Sequence, residues 1–82
     1  MLPAKGTLIV SNMSDGLRIM VNGESRDLAA PVTVAALLQL IGLDTRKVAV
    51  ERNEEIVPRS VYSQTWLEAG DKLEIVHFIG GG

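Results

Sequence analysis

After Gly16, only one stretch of the chain, Val34–Ile41, repeats its apolar residues at helical spacing, while the other apolar stretches are short and alternate with a period of two. Val34, Leu37, Leu38 and Ile41 fall on one face and Gln39 on the other. Thr33 stands where a side-chain oxygen caps a helix start, and Gly42 where a left-handed residue ends one. A helix this short does not persist alone in water. It needs a sheet beneath its apolar stripe, and 82 residues leave room for one domain with a small core.

The strands of that sheet are readable in order. Leu17, Ile19 and Val21 alternate with Arg18 and Met20, and Asn22-Gly23 supplies a type I′ hairpin turn into a return strand, Glu24–Leu28. Ala29-Ala30-Pro31 ends it. Past the helix, a third strand is expected over Lys47–Glu51 with Val48 and Val50 inward. Asn53-Glu54 reverses the chain into a short strand, Glu55–Val57, which Pro58 stops by withholding a donor. Ser60 is expected to cap one helical turn carrying Val61, Tyr62 and Trp66, the two aromatic residues covering the sheet end. After the turn at Gly70-Asp71, the final strand is expected over Lys72–Ile79, with Leu73 and Ile75 inward and Glu74, Val76 and Phe78 outward.

Burying the extra sheet edges favours a central final strand, parallel to the first. The fold class expected is therefore α+β, a β-grasp: a mixed sheet packed on one main helix. Residues 1–16 read as an extension, either a frayed leader or an added edge strand through Leu8-Ile9-Val10. Residues 17–79 form the domain, and 80–82 a glycine tail.

Composition removes several function classes. Ten acidic and eight scattered basic residues give a net charge of -2, without the basic stripe of a nucleic-acid binder. There is no cysteine, which excludes disulfides, thiolate nucleophiles and thiolate metal sites. No apolar run has the length of a membrane span and no signal-peptide layout opens the chain, so the expected location is the cytoplasm. His77, the lone histidine, falls on the Leu73 and Ile75 side of its strand and reads as structural. Glu68, Asp71 and Glu74, with Glu51, Glu54 and Glu55, are expected to surround the tail with negative potential that steers a basic partner.

The sequence closes on Phe78-Ile79-Gly80-Gly81-Gly82. Three residues without Cβ after an apolar strand make a thin arm whose reactive group is the carboxylate of Gly82. Gly80 and Gly81 are expected to thread a cleft, while Val76, Phe78, Ile79 and Met20 are the expected partner-binding residues. On the residues alone, an ordinary frayed terminus remains open as an equal reading.

Longer stretches decide between the two. Ile19-Met20-Val21-Asn22-Gly23-Glu24, Val48-Ala49-Val50-Glu51-Arg52-Asn53, Glu55-Ile56-Val57-Pro58-Arg59 and Ala69-Gly70-Asp71-Lys72-Leu73-Glu74-Ile75-Val76, with the close His77–Gly82, resemble the ThiS family of bacterial sulfur carriers of thiamine thiazole synthesis. That family belongs to the ubiquitin-like β-grasp group, and the resemblance covers residues 17–82. The final glycine pair alone is shared with molybdopterin-type carriers and ubiquitin-like protein modifiers, which stand as the alternative.

The resemblance implies a carrier with no catalytic role and no bound cofactor. A ThiF-like adenylating enzyme would use ATP and magnesium to activate the Gly82 carboxylate. A persulfide sulfur donor system would then convert it to a thiocarboxylate, and thiazole synthase ThiG would accept the sulfur. Neither nucleic acid nor membrane is an expected partner.

Overall fold

The computed structural model describes residues 16–78. These form β1 (Leu17–Val21), β2 (Glu24–Leu28), α1 (Val34–Leu40), β3 (Val48–Arg52), β4 (Glu55–Val57) and β5 (Lys72–His77). Short 3₁₀ helices occupy Thr45–Lys47 and Arg59–Gln64. The expectations for residues 1–15 and for Ile79–Gly82 fall outside the described residues.

The hairpin forms as its turn chemistry requires. Asn22 and Gly23 take φ of 51° and 85°, and Val21 pairs with Glu24. A second tight turn, at Asn53 and Glu54, has φ of 52° and 73° and joins β3 to β4. The sheet order is β2-β1-β5-β3-β4, with β5 parallel to β1 and antiparallel to β3. The central, parallel placement expected of the final strand is what the structure has.

α1 begins with the Thr33 Oγ1 accepting from the Ala36 N–H at 3.1 Å. It ends with the Gly42 N–H donating to the Gln39 carbonyl and the Leu43 N–H to the Leu38 carbonyl, a Schellman closure made possible by Gly42 at φ 81°. Val34, Leu37 and Leu38 of α1 are sealed against Ile19, Val48, Val50 and Leu73 of the sheet. Each such aliphatic side chain contributes ~1.5–3 kcal/mol by leaving water.

Four local expectations change. The final strand, expected to run past Phe78 to Ile79, ends at His77, and Phe78 lies beyond it with only its N–H still bonded to the Lys47 carbonyl. β3 starts at Val48, because Asp44 accepts from the Arg46 N–H and winds Thr45–Lys47 into a 3₁₀ turn first. Ser60 is no cap: it lies inside the turn that Pro58 precedes, and that turn has no side-chain cap. Trp66 lies beyond the turn and is 59% exposed, whereas Tyr62 is buried with its hydroxyl donating to the Val48 carbonyl at 3.4 Å. Only Tyr62 covers the sheet end as expected, serving a carbonyl that the short β4 does not reach.

Candidate functional site

The site is built where β5 leaves the sheet. On one edge, β3 holds it: Val76 lies opposite Ala49, His77 opposite Val48, and the Phe78 N–H donates to the Lys47 carbonyl at 2.8 Å. On the other edge β1 has already turned away, and the Asn22 side chain takes its place. Its Oδ1 accepts from the Ile75 N–H at 2.7 Å and its Nδ2 donates to the Ile75 carbonyl at 3.2 Å. Asn22 therefore has two tasks, a left-handed turn position and a side-chain continuation of the β1–β5 ladder. Sequence reasoning found the first and missed the second, since its partner lies 53 residues away.

Val76 and Phe78 point to the outer, helix-free face, 59% and 44% exposed. With Ala49 they form an apolar strip that ends where the chain continues into Ile79, Gly80, Gly81 and Gly82, which lie outside the described residues. Met20 is separate from this strip. The register sets it opposite Lys72, four residues along β5 from Val76 and with Glu74 between, and its sulfur accepts from the Ser25 hydroxyl at 3.5 Å. The grouping of Met20 with Val76 and Phe78 fails because a parallel neighbour shares only the first part of β5.

The expected acidic surround is also rearranged. Glu51 and Glu74 face each other directly on the outer sheet and join no ion pair among the described residues. Asp71, in contrast, precedes β5 at the end opposite the tail and is 5% exposed. Its Oδ2 accepts from Arg52 Nε at 2.8 Å and from the Glu68 N–H at 2.8 Å, and its Oδ1 from Asn53 Nδ2 at 3.0 Å. Burial alone would push this carboxyl up. The Glu68 N–H, the Asn53 amide and the Arg52 guanidinium together outweigh that and hold it below the usual carboxylate range. Asp71 thus joins the β3–β4 turn to the start of β5, a structural role rather than a steering one.

Two exposed pairs complete the electrostatics. Hydrogen bonding to Arg18 lowers the Asp27 carboxyl across β1–β2, and hydrogen bonding to Arg46 lowers that of Asp44. His77 faces the helix side at the strand end and is exposed. Among the described residues, no cluster of three or more His, Cys, Asp or Glu is arranged to hold a metal, and no helix is long and apolar enough to cross a membrane. The arrangement offers a strand end hydrogen-bonded to β3, an apolar strip beside it, and a sequence that goes on into glycines.

Known proteins resemble this chain in sequence and in fold. The ThiS family pattern matches residues 19–82. A thiazole synthase of Paramagnetospirillum magneticum is 59% identical over 66 residues, which are 80% of this chain and 20% of that protein. The chain thus spans about one fifth of the length of this relative, and the same share of a second thiazole synthase, from Magnetococcus marinus. The sulfur carrier protein ThiS of Bacillus subtilis is 44% identical over 50 residues, 61% of this chain and 76% of that one. The crystal structure of a thiamine biosynthesis protein (ThiS) from Geobacter metallireducens superposes with a TM-score of 0.69 at 30% identity, covering 80% of this chain and 100% of that one. With its mixed sheet on one dominant helix, the chain belongs to the ThiS family of ubiquitin-like β-grasp proteins.

Proposed function

We propose that this chain is a sulfur carrier whose Gly82 carboxylate is adenylated by a ThiF-like partner enzyme and then converted to a thiocarboxylate. The observation that carries the reading is the family match running through residue 82, on a fold in which β5 is hydrogen-bonded to the neighbouring strand side as far as the Phe78 N–H. An ionised carboxylate is a poor acyl donor. Its oxygen attacks the α-phosphorus of magnesium-bound ATP and pyrophosphate leaves, giving an acyl adenylate with a good leaving group. The outer sulfur of a persulfide then displaces AMP to give an acyl disulfide, and a thiol attacks the persulfide's inner sulfur, forming a disulfide with it and leaving the outer sulfur on Gly82 as the thiocarboxylate.

The chain's own part is to bind and to present. Gly80 and Gly81 let the backbone pass walls that a Cβ would strike, and Ile79–Gly82 reach about 13 Å when extended at ~3.3 Å per residue. Ordering those residues costs ~1–2 kcal/mol each in backbone entropy. Burial of Val76, Phe78 and Ile79 in the partner offsets it, at up to ~1.5–3 kcal/mol per side chain. The charge stabilisation for both transfers comes from the enzyme, so the carrier needs no catalytic group.

The acceptor we infer is thiazole synthase, ThiG, in thiamine synthesis. The support is that two proteins named thiazole synthase contain a stretch similar to this chain, which would place carrier and synthase on one polypeptide at high effective concentration. A cytoplasmic location suits this work.

The test is to mix the full chain with the adenylating enzyme, magnesium, ATP and a persulfide donor and to read the intact mass. The expected gain is the difference between one sulfur and one oxygen. No adduct, with an enzyme shown to be active, refutes the reading. Deleting Gly82, or adding one residue after it, is expected to abolish the gain and leave the urea midpoint in place.

A further inference from the structure

β1 stops pairing with β5 at Val21, opposite Leu73, because Asn22 and Gly23 turn the chain back into β2. β5 runs on to His77. On the vacated edge Ile75 is served by the Asn22 side chain, and the next residue facing that way is His77. The ladder to β3 uses the alternate residues, as the Asn53 to Lys72 bond and the Phe78 to Lys47 bond show, both at 2.8 Å. By that alternation the N–H and C=O of His77 face the vacated side, and neither has a partner among the described residues.

A cavity of about 400 Å³ lies at the same place on the helix-facing side. Val21, Ile41, Leu43 and Ile75 give it apolar walls, and Glu24 and Arg26 form its rim. The register accounts for that rim. Glu24 and Arg26 lie opposite Val21 and Ile19, hence on the helix side of the sheet, yet both stay exposed at the β2 edge. A strand edge without a partner among the described residues and a recess with apolar walls and a polar rim therefore coincide in one slot.

We propose that this slot receives an extended segment of the enzyme that takes the Gly82 carboxylate, the segment pairing with β5 at His77 and laying one apolar side chain between Ile41, Leu43 and Ile75. This rests on the carrier reading. The length of chain beyond Phe78 selects the occupant. Four residues separate Phe78 from the reacting carboxylate, an extended reach of about 13 Å, so the wall of the cleft lies within that distance of the slot. An open edge is a template for another strand, and side chains of an added strand alternate, so every second one turns toward the helix side where the recess is. Docking through the outer strip of Val76 and Phe78 alone would leave the His77 backbone as it is in the free chain.

The experiment uses the full chain, its adenylating enzyme and magnesium-ATP. Amide exchange at His77 is expected to slow by about tenfold or more in the complex, the loss of opening set by a new hydrogen bond. His77→Pro removes that donor at an edge where proline is tolerated, and Leu43→Trp fills the recess. Each is expected to raise KM for thiocarboxylate formation by about tenfold and leave kcat within about twofold, the pattern of lost ground-state binding. The exchange measurement on the unsubstituted chain stands whether or not the two variants fold. Equal exchange at His77 in free and bound chain overturns the slot, as do unchanged KM values in two folded variants, provided the wild type is thiolated. A wild type neither bound nor thiolated overturns the carrier reading and this proposal with it.

Discussion

Replacing Asp71 by Asn tests whether the buried carboxylate holds the far end of the sheet. The side chain keeps its shape, but an amide has one acceptor oxygen where the carboxylate has two. If the oxygen faces Arg52 and Glu68, the new NH₂ meets the Asn53 NH₂; if it faces Asn53, the NH₂ meets both other donors. Asn53 has no freedom to flip, because its Oδ1 accepts from the Lys72 N–H at 3.0 Å. At least one buried donor is therefore stranded, at ~1–3 kcal/mol, and the surviving bonds lose their charge at up to ~1 kcal/mol more. The Arg52 side chain is 26% exposed, so water recovers part of this and the expected loss is about 2–3 kcal/mol. Against a total of ~4–12 kcal/mol for a chain of this size, that is a large share, and the melting temperature should fall by ~10–20 °C.

Urea unfolding of both proteins across a pH series is the assay. The folded Asp71 carboxyl is held below the unfolded value of about 3.9, so its stabilisation is fully present above that pH and is lost as pH falls through the folded value. The gap between wild type and variant should be constant near neutrality and close in acid. A neutral-pH gap under ~0.5 kcal/mol, or one that persists unchanged into strong acid, refutes the reasoning.

Asn22→Gly keeps a residue at home with positive φ while deleting the clamp, so the Ile75 amide should exchange about tenfold faster with the hairpin intact; unchanged protection there would show that the clamp does not hold β5. Phe78→Ala should weaken association with the adenylating enzyme by about tenfold or more, from a side chain worth ~1.5–3 kcal/mol when buried, while the urea midpoint barely moves because Phe78 is outside the core; equal binding constants would remove Phe78 from the interface. Removing both Arg18 and Asp27 should leave stability unchanged within error, since that pair is solvent-exposed, and a clear drop in the urea midpoint would contradict this.

The elements that sequence reveals best are those fixed by neighbours. Thr33, Gly42 and the Val34–Ile41 stripe place α1, and Asn22-Gly23 and Asn53-Glu54 place the two hairpin turns, because each signal acts within a few residues. What escaped depends on distant partners. Asp71 reads as one more surface acid until the β3–β4 turn folds over it, and the Asn22 clamp exists only once β5 lies alongside. Alternation places Met20 on the outward face, where it is found, yet its position along the strand is set by a parallel register that no local pattern encodes. The reading of the tail rests on a motif and lies outside the described residues, while the slot beside His77 arises from β1 ending early, which an alternating pattern does not announce.

The pairing of the first strand with the last has a consequence for synthesis. The central ladder joins residues some fifty positions apart, so it closes only after β5 has been made, and a nascent chain lacking β5 leaves β1 and β3 without their shared neighbour. On the proposed carrier function, an enzyme that recognises the finished sheet edge meets only chains whose β5 has been made and paired, so the strand that completes the sheet also gates access to the glycines it leads into.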